Sequence, residues 1–179
     1  MRWMAYGVAV GAMALGACGT SKAQDGPAMS RTFPVSGFER LDVAGPFDVN
    51  VTTGGQPAVQ VRGPEKLVEK MVVTVEGNTL RIHPEKRTGW FNGGFRWNGP
   101  KAQVTVSVPM LSAAAIAGSG NVQVNRVGGR SFEGEIAGSG NLRIGEVRVQ
   151  DLRLEIAGSG EASAAGQAAQ ARYEIAGSG

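Results

Sequence analysis

The 179-residue chain has a single cysteine, Cys18, and a single histidine, His83. One thiol excludes an intrachain disulfide, and two such ligands are too few for a zinc site. A phosphate-cradling Walker A sequence is absent, and Gly118-Ser119-Gly120 lacks the third glycine of a dinucleotide fingerprint. Calcium-binding nonapeptide repeats need aspartates in their turns, where this chain has Asn121, Asn141 and Glu161. No metal or cofactor is therefore expected. There is no Lys/Arg run and the formal net charge is only +3, which argues against a nucleic-acid partner. Leu, Ile and Phe are modest in number, which fits many turns and short strands rather than helices. The one long apolar run, Trp3 to Ala17, is too short to span a bilayer as a helix.

What the chain has in excess is glycine, 28 residues of it, and much of that glycine recurs in order. The pentapeptide Ile-Ala-Gly-Ser-Gly begins at Ile116, Ile136, Ile156 and Ile175. A fixed period near twenty residues marks a repeat architecture. After each of the first two copies the sequence alternates, as in Asn121-Val122-Gln123-Val124 and Asn141-Leu142-Arg143-Ile144, the period of a half-buried strand. Twenty residues suit one coil of a β-solenoid with parallel strands about 4.8 Å apart. The expected fold is thus all-β: right-handed β-solenoid or β-helix-like coils over 111–179, preceded by a small mixed sheet over 33–110. The repeat isoleucines should form one inward ladder. Val122, Leu142 and Ala162 should form a second, Val124, Ile144 and Ala164 a third, and Ala114, Gly134, Leu154 and Tyr173 a fourth. Ser119, Ser139, Ser159 and Ser178 should stack as a structural turn ladder at one corner.

The N-terminus carries an address. Arg2 precedes the apolar run, and Leu15-Gly16-Ala17-Cys18 looks like the lipobox of bacterial lipoproteins. On that likeness residues 1–17 are a signal peptide, Cys18 is the acylated first residue of the mature chain, and Gly19 directs it to the outer membrane of the cell envelope. Several acyl chains anchor stably where one does not. Residues 18–32 are small and polar and read as a flexible tether.

Between the tether and the repeats lie short strands broken by turn signals: Phe38–Val43, Phe47–Val51, Ala58–Val61, Val73–Val75, Leu80–Ile82 and Val104–Val108. Gly77-Asn78 reads as a two-residue hairpin turn. Pro64 to Lys70 is the one helix, with proline at its first position. Neither half looks capped, so a single core should run through both, as one domain over 33–179. The third coil, Glu161 to Ala171, is nearly all Ala, Ser, Gly and Gln, and its core should be thin. The last pentapeptide ends at Gly179 inside a unit, as a fragment would, or as an open edge for self-association would.

The lipobox, Gly45-Pro46-Phe47-Asp48-Val49, Val75-Glu76-Gly77-Asn78-Thr79-Leu80-Arg81-Ile82 and the repeated Gly-Ser-Gly-Asn together resemble the head GIN domain family of exported, autotransporter-adhesin-like bacterial proteins. The resemblance spans about Phe38 to Gly179. It implies an all-β envelope domain without enzymatic activity. Glu161, in place of the repeat asparagine, departs from the pattern.

Catalysis finds little support. A nucleophile elbow needs glycine where Ala117, Ala137, Ala157 and Ala176 stand, and His83 is the only available base. Glu135, Glu155 and Glu174 form an outward ladder of like charges, which could hold a cation or acid chemistry; Arg153 and Arg172 on the same face would neutralise it. The strongest binding candidate is the glycine-rich loop holding Trp90, Phe91, Phe95, Arg96 and Trp97, whose rings and guanidinium could stack on a glycan or enter a partner protein. The expected function is a lipid-anchored, adhesin-like binding protein, with a self-associating envelope module and a carbohydrate-active β-helix enzyme as alternatives.

Overall fold

The computed structural model describes residues 28–85 and 99–179. The fold is all-β: 74% of these residues lie in strands, and the sheet curls nearly closed like a barrel. The strands are β1 (Ala28–Phe33), β2 (Arg40–Ala44), β3 (Phe47–Thr53), β4 (Ala58–Pro64), β5 (Met71–Glu76), β6 (Thr79–Pro84), β7 (Ala102–Val108), β8 (Ala113–Gly118), β9 (Asn121–Gly138), β10 (Asn141–Gly158) and β11 (Glu161–Gly177). One helical turn, α1 (Glu65–Val68), joins β4 to β5.

The twenty-residue period appears directly as strand register. Asn141 pairs with Asn121, Val147 with Val127 and Ile156 with Ile136, all parallel. β8 and β9 keep the same offset, with Ile116 opposite Ile136. The offset falls from twenty to nineteen between β10 and β11. There the register shifts between Ile144, opposite Ala164, and Val147, opposite Gly166. Gly145 and Glu146 thus face Ala165 alone, a bulge that absorbs the missing residue.

The front strands continue the same stack. β2 lies between β6 and β8, and β3 lies between β7 and β9, all in parallel. Antiparallel strands extend the outer pair, β5 beside β6 and β4 then β1 beside β7. Gly77, at φ +60°, makes the hairpin between β5 and β6.

A single hydrophobic core runs through both halves. Its largest wholly enclosed side chains include Phe47 and Phe132, with Leu67 of α1 enclosed at the β4 end. The inward ladders hold through β8, β9 and β10, where Ile116, Ile136, Val122, Leu142 and Leu154 are all buried. They fail in β11: Tyr173 is 61% and Ile175 57% exposed, and Ala164 is exposed too. Among the described residues β11 pairs only with β10, so no further strand covers these side chains.

Two local expectations are corrected. The helix expected over Pro64 to Lys70 is a single turn, Glu65–Val68, and Pro64 is its N-cap, with ψ 130°, not its first residue. Ala28 to Phe33, overlapping the segment assigned to the tether, form a strand, because β1 pairs with β4 from Ala28–Pro64 to Phe33–Val59. Arg31 lies over the Phe33 ring at 4.7 Å. No local periodicity marks this strand, since its outward and inward residues are both largely exposed.

The Gly-Ser-Gly corner is fixed by close packing. Gly138 sits at φ +124°, in the region that L side chains avoid. Two residues on, Gly140 is buried, and a Cβ there would lie 2.6 Å from Gly120 O and 2.7 Å from Ile116 Cγ2. The corners stack through backbone bonds: Ser139 N donates to Gly118 O at 2.9 Å, Ser159 N to Gly138 O at 2.9 Å, and Ser178 N to Gly158 O at 2.9 Å. The Ser119, Ser139, Ser159 and Ser178 side chains are exposed.

Candidate functional site

Three outward surfaces follow from three runs of parallel pairing along the long strands. On the run 131–138 and its equivalents, the outward residues are charged and largely paired. Arg40 meets Glu133 at 3.3 Å, and Arg153 lies 3.8 Å from Glu155 and 3.6 Å from Glu174. The glutamates Glu135, Glu155 and Glu174 do stand in register. Arg153 bridges two of them, while Arg172 makes no ion pair among the described residues. A structural, solvated ladder explains this face, since exposed ion pairs contribute ~0–1 kcal/mol. No group of three metal-ligating side chains occurs among the described residues.

On the run 126–129, Arg126 Nε donates to Glu146 Oε2 at 2.7 Å, and Arg148 Nη2 lies 2.6 Å from Glu146 Oε1. The Arg126 hydrogen bond, with the charges of both arginines, holds the Glu146 carboxyl below its ordinary pKa despite partial desolvation. This cluster locks β9 to β10 beside the bulge.

The third surface is different in kind. Parallel register stacks the first outward residue of each strand as Gln103, Asp48, Asn121, Asn141 and Glu161. The second outward residues stack as Thr105, Asn50, Gln123, Arg143 and Ser163. From Asp48 to Glu161 the first row is tied together by hydrogen bonds that converge on Asp48. Lys101 Nζ donates to Asp48 Oδ1 at 3.3 Å, and Asn121 Nδ2 donates to the same oxygen at 2.7 Å. Asn141 Nδ2 donates to Asn121 Oδ1 at 2.9 Å, and Glu161 N to Asn141 Oδ1 at 3.2 Å. The second row has no such ties: Asn50, Gln123 and Arg143 are exposed and have no side-chain partner among the described residues. A groove of about 440 Å³ follows the two rows from Gln103 to Ser163.

The sequence showed the twenty-residue repeat but not this amide ladder. Its signal was present, since an asparagine follows Gly-Ser-Gly twice and Asp48 holds the same place after Gly45-Pro46. Recognising Asp48 as their equivalent requires knowing that β3 stacks on β9.

His83 is part-buried, with Nδ1 2.9 Å from Pro84 O. It lines a separate hollow with Asp42, Glu76, Arg81 and Glu85, in which no serine stands. Among the described residues, His83 therefore lies apart from the repeat serines. Cys18, Trp90, Phe91, Phe95, Arg96 and Trp97 lie outside the described residues. The two ends of the aromatic segment are described. β6 ends at Pro84 and β7 opens at Ala102, and these strands pair with β2 and β3, whose own connection is Gly45-Pro46. Lys101 Nζ donates to Ser119 O at 3.2 Å, so the chain returns beside the Gly-Ser-Gly corner and at the head of the amide ladder.

Residues 37–179 match the family model described as "Putative auto-transporter adhesin, head GIN domain". Among solved structures, an adhesin-titled protein from Bacteroides fragilis NCTC 9343 aligns with TM-score 0.65 at 21% identity, covering 84% of this chain and 77% of that one. A second, from Parabacteroides distasonis ATCC 8503 and likewise titled an adhesin, aligns with TM-score 0.60 at 20% identity, covering 84% and 71%. At these identities the likeness is one of fold. No curated protein matches the chain.

Proposed function

From the premise that the chain belongs to the head GIN domain family of auto-transporter adhesin type, we propose that it is a non-enzymatic, lipid-anchored binding protein of the cell envelope. Its partner is a glycan or an envelope protein. The strands are read as coils of a right-handed solenoid, a stiff body in which every outward side chain is held at a fixed spacing by the parallel register. Cys18 carries the lipid, and the anchor holds the domain at the outer membrane. The aromatic loop bearing Trp90, Phe91, Phe95, Arg96 and Trp97 supplies contact rings that can stack on sugars or fill a partner's pocket.

The observation that carries this reading is the attachment of that loop. Both of its ends emerge at the stacked corner, beside a polar face whose first row is already organised by the bonds from Lys101 to Glu161. A rigid surface loses little conformational freedom on binding, so more of the contact energy survives as affinity.

The test is a screen of the full chain in detergent against envelope and host glycans, read by tryptophan fluorescence. A saturable shift, abolished by Trp90→Ala with Trp97→Ala, supports the reading. A flat response to every glycan and to envelope extracts sinks it.

A second reading, self-association, is favoured by the exposed Tyr173 and Ile175 on β11, whose outer edge is unpaired among the described residues. It predicts a mass that rises with concentration and stays fixed when Ile175→Lys is introduced.

A further inference from the structure

The two polar rows on β7, β3, β9, β10 and β11 differ from every other outward surface of the stack. On the other outward runs ion pairs recur, as at Arg153–Glu174 and Arg126–Glu146. Here the outward side chains are mostly amides and hydroxyls, and one row of them is left without partners. We propose that this groove is a binding site for a linear, neutral, β-linked polysaccharide lying along the stack. The proposal rests on the adhesin-like reading, but its site is separate from the aromatic loop.

Spacing is the first argument. Neighbouring strands lie about 4.8 Å apart, close to the advance per sugar in an extended β-linked pyranose chain. Five strands in register therefore offer roughly five sugars a pair of polar groups at each step, over four gaps of ~4.8 Å.

Donor and acceptor supply is the second. Each ladder asparagine spends one amide hydrogen and part of its carbonyl capacity on its neighbours, as in Asn141 Nδ2 to Asn121 Oδ1. One N–H and one lone pair remain for a sugar hydroxyl. The ladder also fixes these side chains before any ligand arrives, which lowers the entropic cost of binding. Gln123 and Arg143, beside it and unpartnered, can each bridge two vicinal hydroxyls.

Charge and composition settle the ligand class. Asp48 is paired with Lys101, and Arg143 stands diagonally across from Glu161 on the next strand, so the groove carries no net charge. An acidic glycan would meet Asp48 and Glu161 at opposite ends. A protein partner would be expected to find aromatic and aliphatic anchors, and this groove presents none on its outward rows.

The experiment is calorimetric titration of the full chain in detergent with the linear β-linked hexamers and dimers of glucose and of N-acetylglucosamine. A hexamer should bind about tenfold or more tightly than its dimer, because added sugars reach further rungs. The variant Gln123→Ala with Arg143→Ala should weaken hexamer binding by about tenfold or more. Its melting temperature should be unchanged, because both side chains are exposed and unpartnered. Three results overturn the proposal: no binding of either hexamer, hexamer and dimer binding alike, or full binding by the double variant. If the double variant binds normally and Trp90→Ala with Trp97→Ala does not, the groove is wrong and the adhesin-like reading stands. If the hexamers fail and an envelope protein binds through Gln123 and Arg143, the ligand class is wrong.

Discussion

Replacing Gly140 with alanine tests the claim that the Gly-Ser-Gly corner is dictated by packing between coils. Gly140 is buried, and it accepts the amide of Glu161 from the next coil at 3.3 Å while Asn141 N reaches back to Gly120 O at 3.1 Å. An added methyl would stand 2.6 Å from that Gly120 oxygen and 2.7 Å from Ile116 Cγ2. The oxygen belongs to backbone tied into the stack and cannot rotate away, so two coils must separate. Overpacking of this kind costs about 1–3 kcal/mol. A stretched backbone bond such as Asn141 N to Gly120 O adds about 1 kcal/mol. The expected loss is thus about 2–4 kcal/mol, or roughly 5–15 °C in melting temperature for a domain of this size. Gly128→Ala is the control. Its Cβ would meet only Arg148 O, at 3.7 Å, an ordinary contact, and its φ is unexceptional. It should shift stability by less than about 1 kcal/mol, in the stabilising direction. Urea unfolding followed by circular dichroism, with the midpoints compared at a common slope, measures both. Equal midpoints for Gly140→Ala and the parent, or a comparable loss in Gly128→Ala, would refute the reasoning.

Further expectations follow from burial, from charge and from the lipobox. Phe132→Ala, at a fully enclosed position of the core, should cost about 3–5 kcal/mol. Tyr173→Ala, 61% exposed on β11, should stay within about 0.5 kcal/mol of the parent, and the same urea midpoints decide between graded and uniform burial. Glu146 has its carboxyl held below the ordinary value by the Arg126 hydrogen bond. Its contribution to stability is therefore complete above the unfolded carboxylate pKa, near ~4.3, and is lost as pH falls through the lower folded value. Urea midpoints taken from neutral to acid pH should fall less steeply in Glu146→Gln than in the parent; identical profiles would contradict this. Cys18→Ser should move the protein from the membrane fraction to the soluble one, and an unmodified N-terminus in the parent's mass spectrum would oppose the anchor.

The repeat half was legible because its period is covalent. Once Ile116, Ile136 and Ile156 are seen to recur, the register of β8, β9 and β10 is fixed residue by residue, since parallel strands that slip by one residue turn every inward side chain outward. The nineteen-residue step was visible too, but its resolution as a bulge at Gly145 and Glu146 was not. The short strands of the front half were legible as strands, and their partners were not. β1 escaped notice because its residues alternate weakly and remain exposed, so no hydrophobic period betrays them. The thin last coil was foreseen from its alanines, yet the exposure of Tyr173 and Ile175 was not, because inward positions are buried only when a further layer covers them.

By itself, then, the sequence determined the all-β class, the twenty-residue repeat, the inward ladders of β8, β9 and β10 and the need for glycine at each corner. All four rest on local chemistry: side-chain alternation, backbone freedom at glycine, and a repeat in which each unit meets its neighbour. Tertiary structure alone decided that β2 and β3 interleave between β6–β7 and β8–β9, joining two halves distant in sequence into one core. That same stacking lines Asp48 up with Asn121 and Asn141 and creates the polar groove. Pairings across some seventy residues leave no periodic trace, because the backbone hydrogen bonds that make them are the same for any sequence; shape and burial of the whole core select the partner.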